Sequence, residues 1–245
     1  MLRRSYLGLM AGLAGAANPV AFDWRGLSQT LSKHALDDGR VHYGNLKQDL
    51  APLKKVVDAL ENFDATKLSS REAKLSHWLN AYNALVLYSM AEDYPEQKGR
   101  LANPLKRAGY FYRRKFKVSG AERSLADIED NSIRSMNEPR IHFAIFSGNR
   151  GCAWLSRKIY EPATLESQLA SATAKFLGQA RNVSLDKVRR EAKVSEIFKW
   201  FRKDFGGSDE AILRFLAEHL PGQAINATSW KLTYFDWDWS LNDVT

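Results

Sequence analysis

One cysteine, Cys152, is all the sequence contains. An internal disulfide is therefore excluded, and so is any zinc site built from several cysteines. The five histidines are scattered with neither HxH nor HExxH spacing, so no metal motif is present and no cofactor is read from the chain. Beyond the N-terminal segment, no stretch approaches the ~18 uninterrupted apolar residues that a membrane-spanning helix needs. Internal repeats, low-complexity tracts and Pro/Ser-rich linkers are also missing, which leaves no evident place to divide the chain.

What is present is ordinary for a globular core but biased in charge. Of 245 residues, 44% are hydrophobic and 26% charged, values that exclude a disordered or collagen-like chain. The 36 Lys plus Arg outnumber the 28 Asp plus Glu, for a net charge of +8. A basic surface favours anionic neighbours such as an envelope polymer or a membrane surface, without selecting among them.

The first 17 residues read as an address. Met1-Leu2-Arg3-Arg4 is a basic start, Tyr6 to Leu13 an apolar run too short to span a bilayer, and Ala14-Gly15-Ala16-Ala17 a small-residue cleavage pattern. A secretory signal over residues 1–17 and a single mature domain over 18–245 are the expectation, with a periplasmic or secreted destination. Export changes the meaning of Cys152, because a solitary thiol in an oxidising compartment is either buried or used.

Apolar spacing then predicts the elements. Trp24 to Ala35 reads as a short amphipathic helix. Asn45 is expected to cap a helix through Leu50, Leu53, Val56, Val57 and Leu60. Ser69, with Glu72 three residues on, opens the longest helix, which runs to about Tyr94-Pro95. That helix is apolar nearly all round, marking it as central; Asn80 and Asn83 within it must find partners in neighbouring backbone or in a polar site. Tyr112 to Val118 and Arg140 to Phe146 read as strands, and Ser124, Pro162, Ser195 and Ser208 as helix starts. Asn182–Leu185 with Arg189–Val194 reads as a hairpin, and Lys231–Phe235 as a last strand. The fold class is α+β, with helices around a small mixed or antiparallel sheet.

Chemistry concentrates after the run Arg140-Ile141-His142-Phe143-Ala144-Ile145-Phe146. Ten residues beyond His142, past the loop Ser147-Gly148-Asn149-Arg150-Gly151, comes Cys152. Were Ala153-Trp154-Leu155 the first turn of a helix, the macrodipole would favour the thiolate. A thiol, an imidazole base and a carboxylate to orient the ring are what cysteine nucleophilic catalysis needs. Against this stands a free cysteine acting as a small core hydrophobe. Between Arg107 and Lys117, cations alternate with aromatics, as nucleic-acid binders do; for an exported protein nucleic acid is a poor fit, and a solvated basic face is the plainer reading.

Five ordered blocks carry a family resemblance: Trp78-Leu79-Asn80-Ala81-Tyr82-Asn83-Ala84, Ser124-Leu125-Ala126-Asp127-Ile128-Glu129, Pro139-Arg140-Ile141-His142-Phe143-Ala144, Gly151-Cys152 and Asp238-Trp239-Ser240-Leu241-Asn242. In this order they resemble the family called domain of unknown function 547, over about residues 42–242. Members of that family typically carry Asn-Cys after the histidine block and then Ser-Cys-Pro. The corresponding positions here are Phe146-Ser147 and Gly151-Cys152-Ala153. If the family's working thiol is the second cysteine, Cys152 retains it; if the first, Ser147 stands in its place. The histidine-plus-cysteine pattern is similar to papain-like and transglutaminase-like hydrolases, although those place cysteine before histidine in the chain.

The reading is an exported thiol-dependent hydrolase or acyltransferase acting on an amide, peptide or γ-glutamyl bond of a small molecule or peptide. Cys152 is the candidate nucleophile, His142 the base, and Glu129 or Asp238 the orienting carboxylate. Asn80 and Asn83 brace the cleft, Ser147 lies in its loop, and Arg134 is a candidate for holding a substrate carboxylate. The alternative of a different class is a non-catalytic envelope module that docks anionic material through its basic face.

Overall fold

In a computed structural model of the chain, residues 21–244 are described; the predicted secretory signal at 1–17 lies outside them. The first half is helical: α1 (Arg25–His34), α2 (Tyr43–Gln48), α3 (Ala51–Leu60), α4 (Arg71–Glu92), α5 (Gln97–Arg100) and α6 (Pro104–Ala108). A short hairpin, β1 (Phe116–Val118) with β2 (Ala121–Arg123), precedes α7 (Leu125–Ile128). After a 3₁₀ segment at Pro139–Phe143 come α8 (Leu165–Leu177), β3 (Val183–Asp186), β4 (Glu191–Val194), α9 (Ile197–Trp200), α10 (Asp209–His219) and β5 (Lys231–Tyr234). The fold class is α+β, as the sequence implies.

Helix α4 is the axis. Its cap is Ser70, one residue later than expected, whose hydroxyl accepts from the Ala73 N–H at 3.0 Å. From Leu75 to Leu87 every side chain is buried, so the helix is enclosed on all sides, as its predominantly apolar content demands. Helices α2 and α3, α7 and the turns that follow it pack against α4, while α1 lies on α3. The single helix expected from Asn45 to Leu60 is two. Pro52 sits in the first turn of α3, where its missing N–H is tolerated, but it would break a helix arriving from α2.

A second apolar cluster gathers α8, α9, α10 and the mixed sheet β3-β4-β5. Strands β3 and β4 form the expected hairpin, with Val183 opposite Val194. Strand β5 pairs parallel to β4, Ala192 opposite Leu232, a geometry that needs the long crossover supplied by α9 and α10.

Two expected strands are corrected. Residues 140–146 are not extended: Glu138 caps Arg140 N–H at 3.2 Å, Pro139 occupies the first turn, and a 3₁₀ helix follows through Phe143. The run is apolar because its residues serve both cores. Phe143 belongs to the second cluster, whereas Ile141, Ala144, Ile145 and Phe146 belong to the first. A short continuous apolar run does not by itself distinguish a strand from a buried helical turn. Residues 112–115 are likewise not strand. Asn103 accepts from the N–H groups of Leu105 and Lys106, and the helix it starts continues as a wider π turn over Gly109–Arg113, which leaves only Phe116–Val118 extended.

Candidate functional site

The site is assembled where the 3₁₀ segment passes between the two clusters. Asn83 of α4 holds that passage from below by two hydrogen bonds. Its amide donates to the Ala144 carbonyl at 3.0 Å and its oxygen accepts from the Phe146 N–H at 2.9 Å. Asn80, one turn earlier, grips Tyr160 in the same reciprocal way, with both distances 2.8 Å. Each buried amide is thus satisfied by backbone, and Asn83 fixes the segment that carries His142.

His142 is 1% exposed. Its ring stacks on Phe201 at 4.0 Å between centroids, and Nε2 lies 2.8 Å from the Asp204 carboxylate. Asp204 in turn accepts two hydrogen bonds from Arg134, Nε at 2.7 Å and Nη2 at 2.9 Å. A further Arg134 N–H reaches Asp130. The orienting carboxylate is therefore Asp204, not Glu129 or Asp238. Arg134 does not stand free for a substrate, since its fork is filled by Asp204.

The electrostatics follow from this chain of contacts. Burial lowers the His142 pKa below its ordinary value and outweighs the hydrogen bond the ring makes to Asp204, which acts to raise it. The ring is therefore neutral at neutral pH. Burial acts to raise Asp204, but the hydrogen bonds from His142 and Arg134 win and hold it well below the usual carboxylate range. With Asp204 ionised and accepting, the ring proton belongs on Nε2, and Nδ1 carries the bare lone pair. Nδ1 is buried and has no hydrogen-bond partner.

Cys152 is placed by a turn and not by a helix. Asn149 Oδ1 accepts from the Cys152 N–H at 3.0 Å, and Ala153-Trp154-Leu155 is irregular. The macrodipole expected to act on the thiol is absent from this arrangement. Two glycines allow the turn. Gly148 has φ +78° and a Cβ there would lie 2.6 Å from Met90, while a Cβ at Gly151 would strike the Trp237 ring at 2.7 Å. The thiol donates to the Asn149 carbonyl at 2.9 Å. Burial raises its pKa, against hydrogen bonds from the Ser147 backbone and hydroxyl. No hydrogen bond joins it to the imidazole.

Thiol and imidazole nevertheless line one cavity of about 350 Å³, together with Tyr82, Glu129 and Ser147. Its remaining wall is largely aromatic, including Phe111, Phe201, Trp200, Trp237 and Trp239, the apolar pocket with few polar groups that characterises small-molecule sites. Glu129 opens a π turn, Glu129–Ile133, and accepts from the Tyr82 hydroxyl at 3.3 Å. Its other oxygen is buried without a partner, and burial, followed by the nearby Asp130 charge, raises its pKa to about 7. Glu129 is thus in the site but does not touch His142. Asp238 is turned away to Ser240, whose N–H it accepts at 2.9 Å. Among the described residues, no group of three or more His, Cys, Asp or Glu side chains is placed to hold a metal ion.

Asp204, Trp200 and Trp237 carried no local signal, being separated in sequence from His142 and Cys152 and unmarked by any motif, whereas Trp239 falls in the block Asp238–Asn242. Most of the residues that do carry one lie in a segment with a known relative. Residues 65–177 match the family model described as "Protein of unknown function, DUF547". Over this segment the chain is similar to that family. Within its bounds fall Asn80, Tyr82, Asn83, Glu129, Arg134, His142, Ser147 and Cys152. The DUF547 match stops short of Asp204 and of the block Asp238–Asn242 that resembled the family, so the ring's carboxylate partner and the tryptophan wall come from beyond it. No curated protein and no solved structure matches the chain.

Proposed function

We propose that the chain is a thiol-dependent hydrolase or acyltransferase of amide-type bonds, with Cys152 as nucleophile, His142 as base and Asp204 as the orienting carboxylate. The observation that supports it is the imidazole: Nε2 fixed by Asp204, Nδ1 buried and unpartnered, in the cavity that the Cys152 thiol also lines. A neutral ring with its proton on the far nitrogen is the form a general base requires.

In the proposed reaction the thiol rotates away from the Asn149 carbonyl and passes its proton to Nδ1 as Sγ bonds to the acyl carbon. Asp204 stabilises the imidazolium so formed. The bond from the acyl carbon to its leaving nitrogen or oxygen then breaks, and the Nδ1 proton goes to the departing group. Water, or an acceptor amine or alcohol, attacks the thioester while Nδ1 takes its proton, and the proton returns to Sγ as the thiol is released. The Ser147 backbone N–H and hydroxyl favour the thiolate, and the surrounding aromatics exclude water. The pattern at residues 1–17 supports export of the working protein.

The basic face offers less to the envelope-module alternative. Arg114 pairs with Glu92 and Asp93, Lys115 with Asp127 and Lys117 with Glu61, so much of that charge is already answered. The test is turnover of γ-glutamyl p-nitroanilide and of p-nitrophenyl esters. Activity that disappears in Cys152→Ala and in His142→Gln supports the reading; activity indifferent to both, or none with any acyl donor, overturns it.

A further inference from the structure

The cavity has an unusual balance of charge. Of the described residues lining it, Arg107 is the one lysine or arginine and Glu129 the one acid. Glu129 is engaged by Tyr82. The Arg107 guanidinium carbon lies over the Trp239 ring, 3.4 Å from its centroid, and Nη1 donates to the Leu101 carbonyl at 2.7 Å. These two contacts fix the plane of the side chain and use one of its five N–H donors. Among the described residues, no carboxylate pairs with it. Arg100, Arg114, Lys115 and Lys117 each have an acidic partner; Lys106, Arg107 and Arg113 form no ion pair among the described residues, and of these three only Arg107 lines the cavity, where burial alone lowers its pKa. A cation held rigid in an aromatic cavity without a counter-ion is a recognition group for an anion.

We propose that Arg107 is a specificity-determining residue that binds a carboxylate on the substrate, whose apolar or aromatic body packs against Trp200, Trp237 and Trp239. The shape of the fork suits bidentate carboxylate binding, and the charge count selects it. One negative charge neutralises Arg107, whereas a phosphate dianion would add a second charge that no other cation lining the cavity answers. That this carboxylate sits on an acyl substrate rests on the thiol reading above; that the cavity binds it does not.

The experiment is isothermal titration calorimetry of the full chain, slightly below neutral pH, with three probes of one aromatic body: 2-naphthoate, 2-naphthamide and 2-naphthyl phosphate. Wild type binds the naphthoate about tenfold or more tightly than the amide. Arg107→Gln brings the two within about twofold while leaving amide binding intact, which reports a folded cavity. Arg107→Lys, which keeps the charge but not the planar fork, retains an intermediate preference and serves if the glutamine variant does not fold. Equal binding of acid and amide by wild type, a preference that survives Arg107→Gln, or tighter binding of the phosphate overturns the proposal. Cys152→Ser keeps the preference for naphthoate. If turnover proves independent of Cys152 while that preference stands, the thiol reading falls and the carboxylate site remains.

Discussion

His77 and His142 are both buried, 2% and 1% exposed, both surrounded by aromatic rings, and both held below the ordinary histidine pKa by burial. His77, on α4, is enclosed by Phe22, Trp24, Phe63 and Trp78, with centroids 4.8 to 5.6 Å away. Neither of its ring nitrogens has a partner. His142 has one nitrogen on Asp204 and the other buried without a partner, and the residue lines a cavity that Cys152 also lines. Burial and aromatic packing are common to both rings, so they do not define a site. What sets His142 apart is a carboxylate that fixes the tautomer and a place in the wall of a cavity that Cys152 also lines.

That contrast can be broken most directly by exchanging the rings one at a time. His142→Gln lowers thiol-dependent turnover roughly a thousandfold, the scale of a lost general base. His77→Phe leaves it within about twofold, because nothing at His77 reaches the cavity. Matching losses in the two variants, measured as kcat/KM, would erase the distinction.

The carboxylate comes next. Asp204→Ala strands Arg134 and His142 without their acceptor and costs about 3–4 kcal/mol of stability in urea denaturation, since removing one member of a largely buried pair leaves the other uncompensated. Asp204→Asn costs less stability but still impairs turnover, because an amide no longer stabilises the imidazolium.

The third prediction concerns acid. His77 has a pKa lowered from 6.5 to about 4. Between those values the unfolded chain binds a proton that the folded chain refuses. Stability present above pH 6.5 is therefore lost as pH falls through about 4, by up to about 3 kcal/mol. His77→Phe flattens that part of the stability–pH curve. An unchanged slope would mean that the cage does not exclude the charged ring.

Glu129 gives an effect of similar size and the opposite sign. Its pKa is raised from 4.5 to about 7, so the folded state favours the neutral acid. The stability this contributes is complete below about pH 4.5 and is lost as pH rises through about 7. Glu129→Gln removes the loss and gains up to about 3 kcal/mol over wild type on the alkaline side. A variant no more stable there than wild type would place the Glu129 carboxylate in water.

The contrast also explains what could be read from sequence. Cys152 stands out by being solitary and His142 by being polar in an apolar run, and both line the cavity. The buried α4 was legible because no face of it is polar, and the β3–β4 hairpin because its alternation is clean. Asp204 lies 62 positions from His142 in a stretch with no feature to mark it; only the docking of the second cluster on the 3₁₀ segment brings it to the ring. Glu129 was the carboxylate close by in sequence, but its π turn delivers it to Tyr82. Residues 140–146 misled because apolar content reports burial, and here burial comes from two cores flanking a helical turn rather than from a sheet. The start of helix α7 was legible at Ser124, since a cap is local chemistry, but its reciprocal bonds with Asp127 and its end at Ile128, where a π turn takes over, were not.

The central claim is that folding makes the Cys152 thiol more reactive despite burying it. The direct measurement is the rate at which p-nitrophenyl acetate acylates Cys152 at neutral pH, followed as added mass on the intact chain and compared with the urea-unfolded chain. The account predicts acylation at least about a hundredfold faster in the folded protein, with that advantage gone in His142→Gln. A folded thiol that reacts no faster than the unfolded one, and takes no notice of His142, would contradict it.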